Sequence, residues 1–547
     1  MFRPRRLHPV KFASLLTLGA SLQQLSCRAD AAATLPEALF SRAERTQYEE
    51  TSLHADVMDF VTSLDRASDR VTLETMGHSA AGKAIPLVIL ADPPVTTPAQ
   101  ATQSGKLVVY VQANIHAGEV EGKEASLEVM REVALGPRQD LLENQILLFA
   151  PIYNADGNDS LGHNRRSQDG SPELTGTRYN GQGLDLNRDA MKIEAVETKA
   201  LMANVLNRWD PALLVDLHTN NGSWHGYAVT YAPSYRSAGY PLLSDYTMDS
   251  LLPAVSQKVL RRSGLHTFLF GGFRGWPPTE WRTYSHLPRY VVNSMGLRNR
   301  IGILAEMFPH DAFEKRILAA RLFVISLLEY TNDNSGLIEN LIQRAEEETK
   351  SEIAEDAGRF QRGVRFEMAP LEEPTALYVY EHELAAADSG VPRPVRVSDR
   401  LVWFDGVVNY GRFEPTKTST VPRGYLFAAG LTHVAGKLRE HGIEVTTLEQ
   451  ATTFEGERFL ISELTQEPEY QGHTTTTVNG RFERTEREFP EGSFVVDLAQ
   501  PLAYLAFYLL EPESDDGLTT WNYFDEAIGA MAESGDTVEF PVFKYYR

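Results

Sequence analysis

KLVVYVQANIHAGEVEGKEASLEVMREVAL, residues 106–135, decides how this chain is built. Its first eight residues are an apolar run rich in Val, which reads as a strand buried on both faces. From Glu121 onward the apolar residues recur at helical spacing, so a helix follows almost at once. A chain that only needed to turn this corner would use Gly, Asn or Asp. Instead, His116 and Glu119 stand in NIHAGEVEG, Asn114 to Gly122. They put an imidazole and a carboxylate at the carboxyl end of a buried strand, where open α/β sheets bind their ligands.

The pattern repeats outward from this junction. KAIPLVIL, NQILLFAPIY, PALLVDLH and RIGILAEMF are further apolar runs rich in Val, Ile and Leu. EGKEASLEVMREVAL, EAVETKALMANVLNRW and MDSLLPAVSQKVLRR are the helix-like stretches between several of them. Residues 34–75 read as polar and helical, with DVMDFVTSLDRASD an amphipathic piece. Alternating strands and helices specify an α/β fold, a sheet covered by helices on both faces. Composition changes near residue 335. GLIENLIQRAEEETKSEIAEDAGRF reads as a charged connecting helix, and from about residue 370 short strands, threonines and Pro/Gly turns dominate. The expected division is a leader over 1–33, a catalytic domain over 34–335, a helical connector over 336–369, and a β-rich or mixed α/β accessory domain over 370–547.

The chain has 547 residues and a net charge of −22, which argues against nucleic acid or an anionic membrane as its main partner. No internal run reaches the ~18 apolar residues of a membrane span. The late apolar stretch PLAYLAFYLL is too short and reads as core. MFRPRRLHPVK is basic, FASLLTLGASL is apolar, and ADAAA supplies small residues for cleavage, so residues 1–33 read as a secretory signal. A secreted or periplasmic location follows. The single cysteine, Cys27, lies in that segment, leaving no disulfide or thiol nucleophile in the mature chain. QLSC around Cys27 also resembles a lipoprotein acceptor, though Gln24 and Leu25 depart from that pattern.

His-x-x-Glu is weak evidence by itself, since 14 histidines and 74 acidic residues should produce roughly two such matches to an acid by chance. His441 and Glu444 in REHGIEVTT are such a match, and there Gly442 ends a helix and IEVTTL begins a strand. The pair at 116 and 119 differs because the strand-to-helix junction lets both side chains converge on one point. Imidazole and carboxylate are good zinc ligands, and a catalytic zinc wants three protein ligands and one open position. His218, ending PALLVDLH and followed by turn-forming residues, is the best third candidate; His225 lies already in the loop. GLDLNRD offers Asn187 and Arg188, an amide and a planar fork suited to a carboxylate. Asp185 is placed to accept from the free ring N–H of a metal-bound histidine. Arg165, Arg166 and Arg178 add positive charge to the same region of an acidic chain. Glu306 ends the apolar run RIGILAEMF, a position that needs either a partner such as Arg298 or Arg300, or a function. Near a metal-bound water it would serve as general base and then acid.

Taken in order, His116-Ala-Gly-Glu119, PIYNADGND, GLDLNRD, VDLH ending at His218, and ILAE ending at Glu306 resemble the zinc carboxypeptidases of the M14 family. The opening GHSAAGKAIPLVIL is similar to that family's first strand region, and the resemblance spans about residues 45–330. It implies an α/β/α sandwich around a mixed sheet, of a bacterial secreted type with an extra C-terminal domain. It also implies one Zn2+ per chain on His116, Glu119 and His218, with Glu306 as general base and Asp185 behind His116. Asn187 and Arg188 would hold the carboxylate of a peptide substrate with a free C-terminus. Arg165 fits best as the oxyanion arginine, with Arg166 and Arg178 as competitors. The tyrosine that closes on substrate is either Tyr284 or Tyr290. The leading function is a secreted zinc metallocarboxypeptidase. The alternatives are a zinc amidohydrolase acting on acylated amino acids or cell-wall peptides and, further off, a binding protein with a vestigial site.

Overall fold

The apolar runs form the centre of an eight-stranded mixed sheet in the computed structural model, which describes residues 35–166, 168–235, 239–386, 393–533 and 538–547. The leader over 1–33, with Cys27, lies outside the described residues. Met1–Glu37 and Ala38–Arg547 are separate units, and the second carries everything described below. Its sheet runs, edge to edge, Val71–His78, Ala84–Leu90, Gln145–Ala150, Leu107–Ala113, Leu213–Thr219, Ile301–Met307, Val229–Pro233 and Thr267–Leu269. The four strands from Gln145–Ala150 to Ile301–Met307 pair in parallel. Ala84–Leu90 and Val229–Pro233 flank them antiparallel.

Side chains alternate between the faces of this sheet, as a strand's period of two requires. Val109, Val111, Leu213, Val215 and Ile303 pack under one helical layer, which includes His54–Ala67, Glu121–Ala134 and Phe313–Asp333. Tyr110, Leu214 and Leu304 face the other, against Leu201, Leu206, Val292 and Met295. The expected α/β/α sandwich is therefore present. One local reading changes. The polar helix ends at Ala67 and a strand starts at Val71, inside a stretch expected to be helical. Pairing with Ala84–Leu90 decides that segment against its weak helical pattern.

Beyond the long helix Ser335–Asp356, additional β-sheets follow. The largest has six strands and closes on a buried layer that includes Tyr425, Phe459, Val478, Val496 and the whole helix Ala503–Leu510. That helix is the apolar stretch read as core. Its neighbours in the same core include Met191 and Leu297, so the two halves of the chain share packed side chains. Strand Arg393–Tyr410 also pairs with Glu280–Arg282 from the first half. Among the described residues no helix is long and apolar enough to cross a membrane.

Candidate active site

The corner after Leu107–Ala113 is turned by Asn114, whose φ of 65° suits an asparagine. Its amide donates to the carbonyls of Ala117 and Glu119, fixing the loop that carries His116 and Glu119. Gly122 then lets the next helix approach the neighbouring strand. A Cβ there would lie 2.6 Å from that of Leu217, so no larger residue fits. This close approach brings Glu119 against His218 at the end of Leu213–Thr219.

His116 Nδ1 lies 3.0 Å from Glu119 Oε1, and His218 Nδ1 lies 2.8 Å from Glu119 Oε2. One donor atom from each of the three buried residues falls within 4.8 Å of the others, a group able to hold a metal ion. The outer nitrogens are also engaged: His116 Nε2 is 3.1 Å from Asp185 Oδ1, and His218 Nε2 is 2.7 Å from Asp216 Oδ2. Carboxylates there fix each ring with its Nδ1 lone pair turned inward. Asp216 escaped the sequence reading, although a strand's period of two puts it on the same face as His218.

The electrostatics of this cluster call for a cation. Burial works to raise the Glu119 pKa, but Arg166, His116 and His218 outweigh it and hold the carboxyl well below its usual range. Burial works to lower His218, yet Asp216 and Glu119 push it well above the usual histidine range. An imidazole between two carboxylates thus retains a proton, whose place a metal ion would take.

Glu306 sits directly beside His218 in the parallel register of Ile301–Met307 and Leu213–Thr219. Arg298 and Arg300 do not pair with it. Arg298 binds the His441 carbonyl and Asn207, and Arg300 binds Asp210 and Glu346. Burial first, then the neighbouring charge of Glu119, pushes the Glu306 carboxyl up to about 8.

The arginines separate clearly. Arg166 Nη1 lies 3.5 Å from Glu119 Oε1, and its Nη2 donates to the Thr219 and Asn220 carbonyls. Arg178 donates from Nε to Asp185 Oδ2 at 2.8 Å and reaches within 3.9 Å of Glu119. Arg165 is exposed, its guanidinium lying over Gly162. Of the neighbouring pair, Arg166 and not the expected Arg165 lies against Glu119. Asn164, just before them, has a φ of 55°.

Asn187 is buried, and its Oδ1 accepts from the Val291 N–H, leaving the amide NH2 as the donor for a ligand. Arg188 is half-buried, with its guanidinium 4.0 Å above the Tyr290 ring. Tyr290 is thus the tyrosine beside the carboxylate candidates, whereas the Tyr284 hydroxyl donates to Asn293 Oδ1. His225 is buried in an aromatic nest with Tyr227, Trp281 and Phe308. His441 holds the Met191 carbonyl. Gln471 is a contact no local pattern foretold: its Oε1 accepts from the Asp185 N–H at 2.9 Å, across 286 residues of sequence.

Residues 57–258 match the family model described as zinc carboxypeptidase. Carboxypeptidase 2 of Trichophyton tonsurans is 23% identical over 465 residues, covering 81% of this chain and 77% of the relative. Carboxypeptidase 2 of Trichophyton rubrum is similar to the same extent. Among solved structures, the metallo-carboxypeptidase of Burkholderia cenocepacia is similar at 16% identity and a TM-score of 0.38, over 51% of this chain and 68% of the other. The metallo-carboxypeptidase of Pseudomonas aeruginosa is similar at 18% identity and a TM-score of 0.37, over 52% and 68%. Residues 57–258 thus match the M14 zinc carboxypeptidase family, and the similarity to named carboxypeptidases over most of the chain supports a peptide-bond hydrolase.

Proposed function

We propose that this protein is an exported zinc carboxypeptidase that removes C-terminal residues from peptides. Export rests on the basic and apolar leader over 1–33. The observation that carries the catalytic reading is the convergence of two Nδ1 atoms and the Glu119 carboxylate, with Glu306 in register beside them. His116, Glu119 and His218 would hold one zinc ion; two imidazoles and a carboxylate are a donor set that leaves a position open. Bound there, zinc would supply a Lewis acid for the scissile carbonyl and acidify a water.

The chain's own residues perform the rest. Glu306 takes a proton from the attacking water and hands it to the leaving amine nitrogen. Arg166, held by two carbonyls, donates to the substrate oxygen as negative charge builds on it. Asp185 and Asp216 keep the two imidazoles in the tautomer that offers Nδ1. Arg188 spends one donor on the Asn187 carbonyl and, with five in its planar fork, has others for the substrate carboxylate. Asn187 adds its amide NH2.

The test is kcat/KM for a peptide with a free C-terminus and for its C-terminal amide, with wild type and Arg188→Ala. Wild type should strongly prefer the acid. Arg188→Ala should lose most of that preference, since an unpaired buried charge costs roughly 2–5 kcal/mol. Equal cleavage of acid and amide by wild type would leave hydrolysis of acylated amino acids as the better reading.

A further inference from the structure

The strands Thr452–Tyr470 and His473–Phe489 form a long antiparallel hairpin in the second half of the chain. Its tip turns through Gln471 and Gly472, at φ of 53° and 80°. The returning strand is held down: Thr476 and Val478 are buried, and the Thr476 N–H donates to the Thr520 carbonyl. The outgoing strand from Ser462 to Tyr470 is exposed throughout. It carries Glu463, Glu467, Pro468 and Glu469, which suit an edge that must not pair with another chain.

The tip is fastened to the first half of the molecule on both sides. Gln471 binds the backbone of Asp185, the residue that also holds His116. His473 binds Glu194 through Nε2 at 2.9 Å and Asn522 through Nδ1 at 3.0 Å. Next to the first anchor, Tyr470 completes a stack. The Arg289 guanidinium lies 4.7 Å from the Trp521 ring and 5.6 Å from the Tyr470 ring. Arg289 is itself fixed by buried Asp516, through Nε at 2.9 Å and its backbone N–H at 2.7 Å. The next residue, Tyr290, carries Arg188 on its ring. Adjacent residues 289 and 290 therefore tie the hairpin tip to the arginine assigned to the substrate carboxylate. Tyr470 keeps 38% of its surface exposed, so its ring is available to a ligand.

We propose that this hairpin tip forms a wall of the substrate cleft, and that Tyr470 is a specificity-determining residue for the substrate's C-terminal side chain. The inference rests on Arg188 anchoring the substrate carboxylate. Glu467 and Glu469 lie on the exposed outgoing strand, and the carboxylates that hold the tip are engaged: Asp516 by Arg289, Glu194 by His473 and Lys192, and Asp185 by His116 and Arg178. A basic side chain finds no unpaired carboxylate among the groups that hold the tip, whereas the face of Tyr470 offers aromatic surface. The favoured C-terminal residue is large and apolar, above all aromatic. Gln471 is a positioning residue, holding the tip and the Asp185 backbone together.

The experiment measures kcat/KM on free-acid peptides that differ only in ending with Phe, Ala or Lys. Wild type, Tyr470→Ala and Tyr470→Phe are compared, with zinc content and Tm as controls. Wild type should favour Phe over both others. Tyr470→Ala should lower the Phe-to-Ala ratio about tenfold, and Tyr470→Phe should retain it. A ratio unchanged in Tyr470→Ala, a common loss on all three peptides, or a wild-type preference for Lys would overturn the proposal. The acid-to-amide ratio of wild type, read on the same Phe peptide, reports separately on carboxylate recognition, so failure of that reading is told apart from failure of this one.

Discussion

Glu306 shows how one side chain acquires a role from its surroundings. At the end of an apolar strand it should be paired, yet the two arginines nearest in sequence are engaged elsewhere. Its neighbours are His218, in register beside it, and the charges of Glu119 and Arg166. On the proposed function, a carboxylate in that place moves a proton. Glu306→Gln keeps shape and burial and removes the basic oxygen. The variant should bind zinc as wild type does and lose at least 10²–10⁴-fold in kcat, the range general base catalysis supplies. Zinc analysis together with steady-state kinetics checks this; a variant within tenfold of wild type would remove Glu306 from the mechanism. The two arginines at 165 and 166 make the complementary point. They are chemically identical, and only Arg166 lies against Glu119.

The loop GLDLNRD is tied down as an element by a buried carboxylate. Asp189 is fully buried and accepts from Lys192 Nζ at 2.6 Å, and from the Glu194 and Ala195 N–H groups at 3.0 and 2.9 Å. This ties off the loop immediately after Asn187 and Arg188. Asp189→Ala would strand the Lys192 ammonium, also fully buried, without its nearest partner. Breaking one side of a buried pair costs about 3–5 kcal/mol. The expected outcome is a fall of that size in unfolding free energy, measured by urea denaturation. A surface ion pair would cost under ~1 kcal/mol, so the size of the loss distinguishes the two readings.

At the scale of the whole molecule, the second half of the chain is clamped to the catalytic sheet by buried polar contacts. His441 is one of them: its Nε2 lies 2.9 Å from the Met191 carbonyl, and burial pushes its pKa down to about 3. The folded protein therefore keeps His441 neutral, while the unfolded chain takes up a proton below about 6.5. Its contribution is fully present above pH 6.5 and is lost progressively as pH falls toward 3. At pH 5 the loss from this residue is about 2 kcal/mol. His441→Gln removes the titration. Its destabilisation relative to wild type should be smaller at pH 5 than at pH 7.5 by about that amount, read from urea midpoints at the two pH values. An equal penalty at both would show that His441 carries no pH-dependent stability.

The sequence alone determined the features that local patterns encode. Apolar runs of β-branched residues alternating with helical periodicity specified the layered α/β sheet, because burial on both faces requires such strands. Residues at strand ends, His116, Glu119, His218 and Glu306, stood out because chemistry-bearing groups there serve no packing need. Asp216 escaped that reading, although its spacing of two from His218 carried the signal. The tertiary structure decided what depends on distant segments meeting. That Arg166 and not Arg165 lies against Glu119 depends on where the loop meets the sheet, which no side-chain pattern announces. The strand at Val71 follows from the partner it pairs with. The placement of Tyr470 and Gln471 beside the site follows from a hairpin folded back across 286 residues, where neither periodicity nor motif carries information about which surface it will meet.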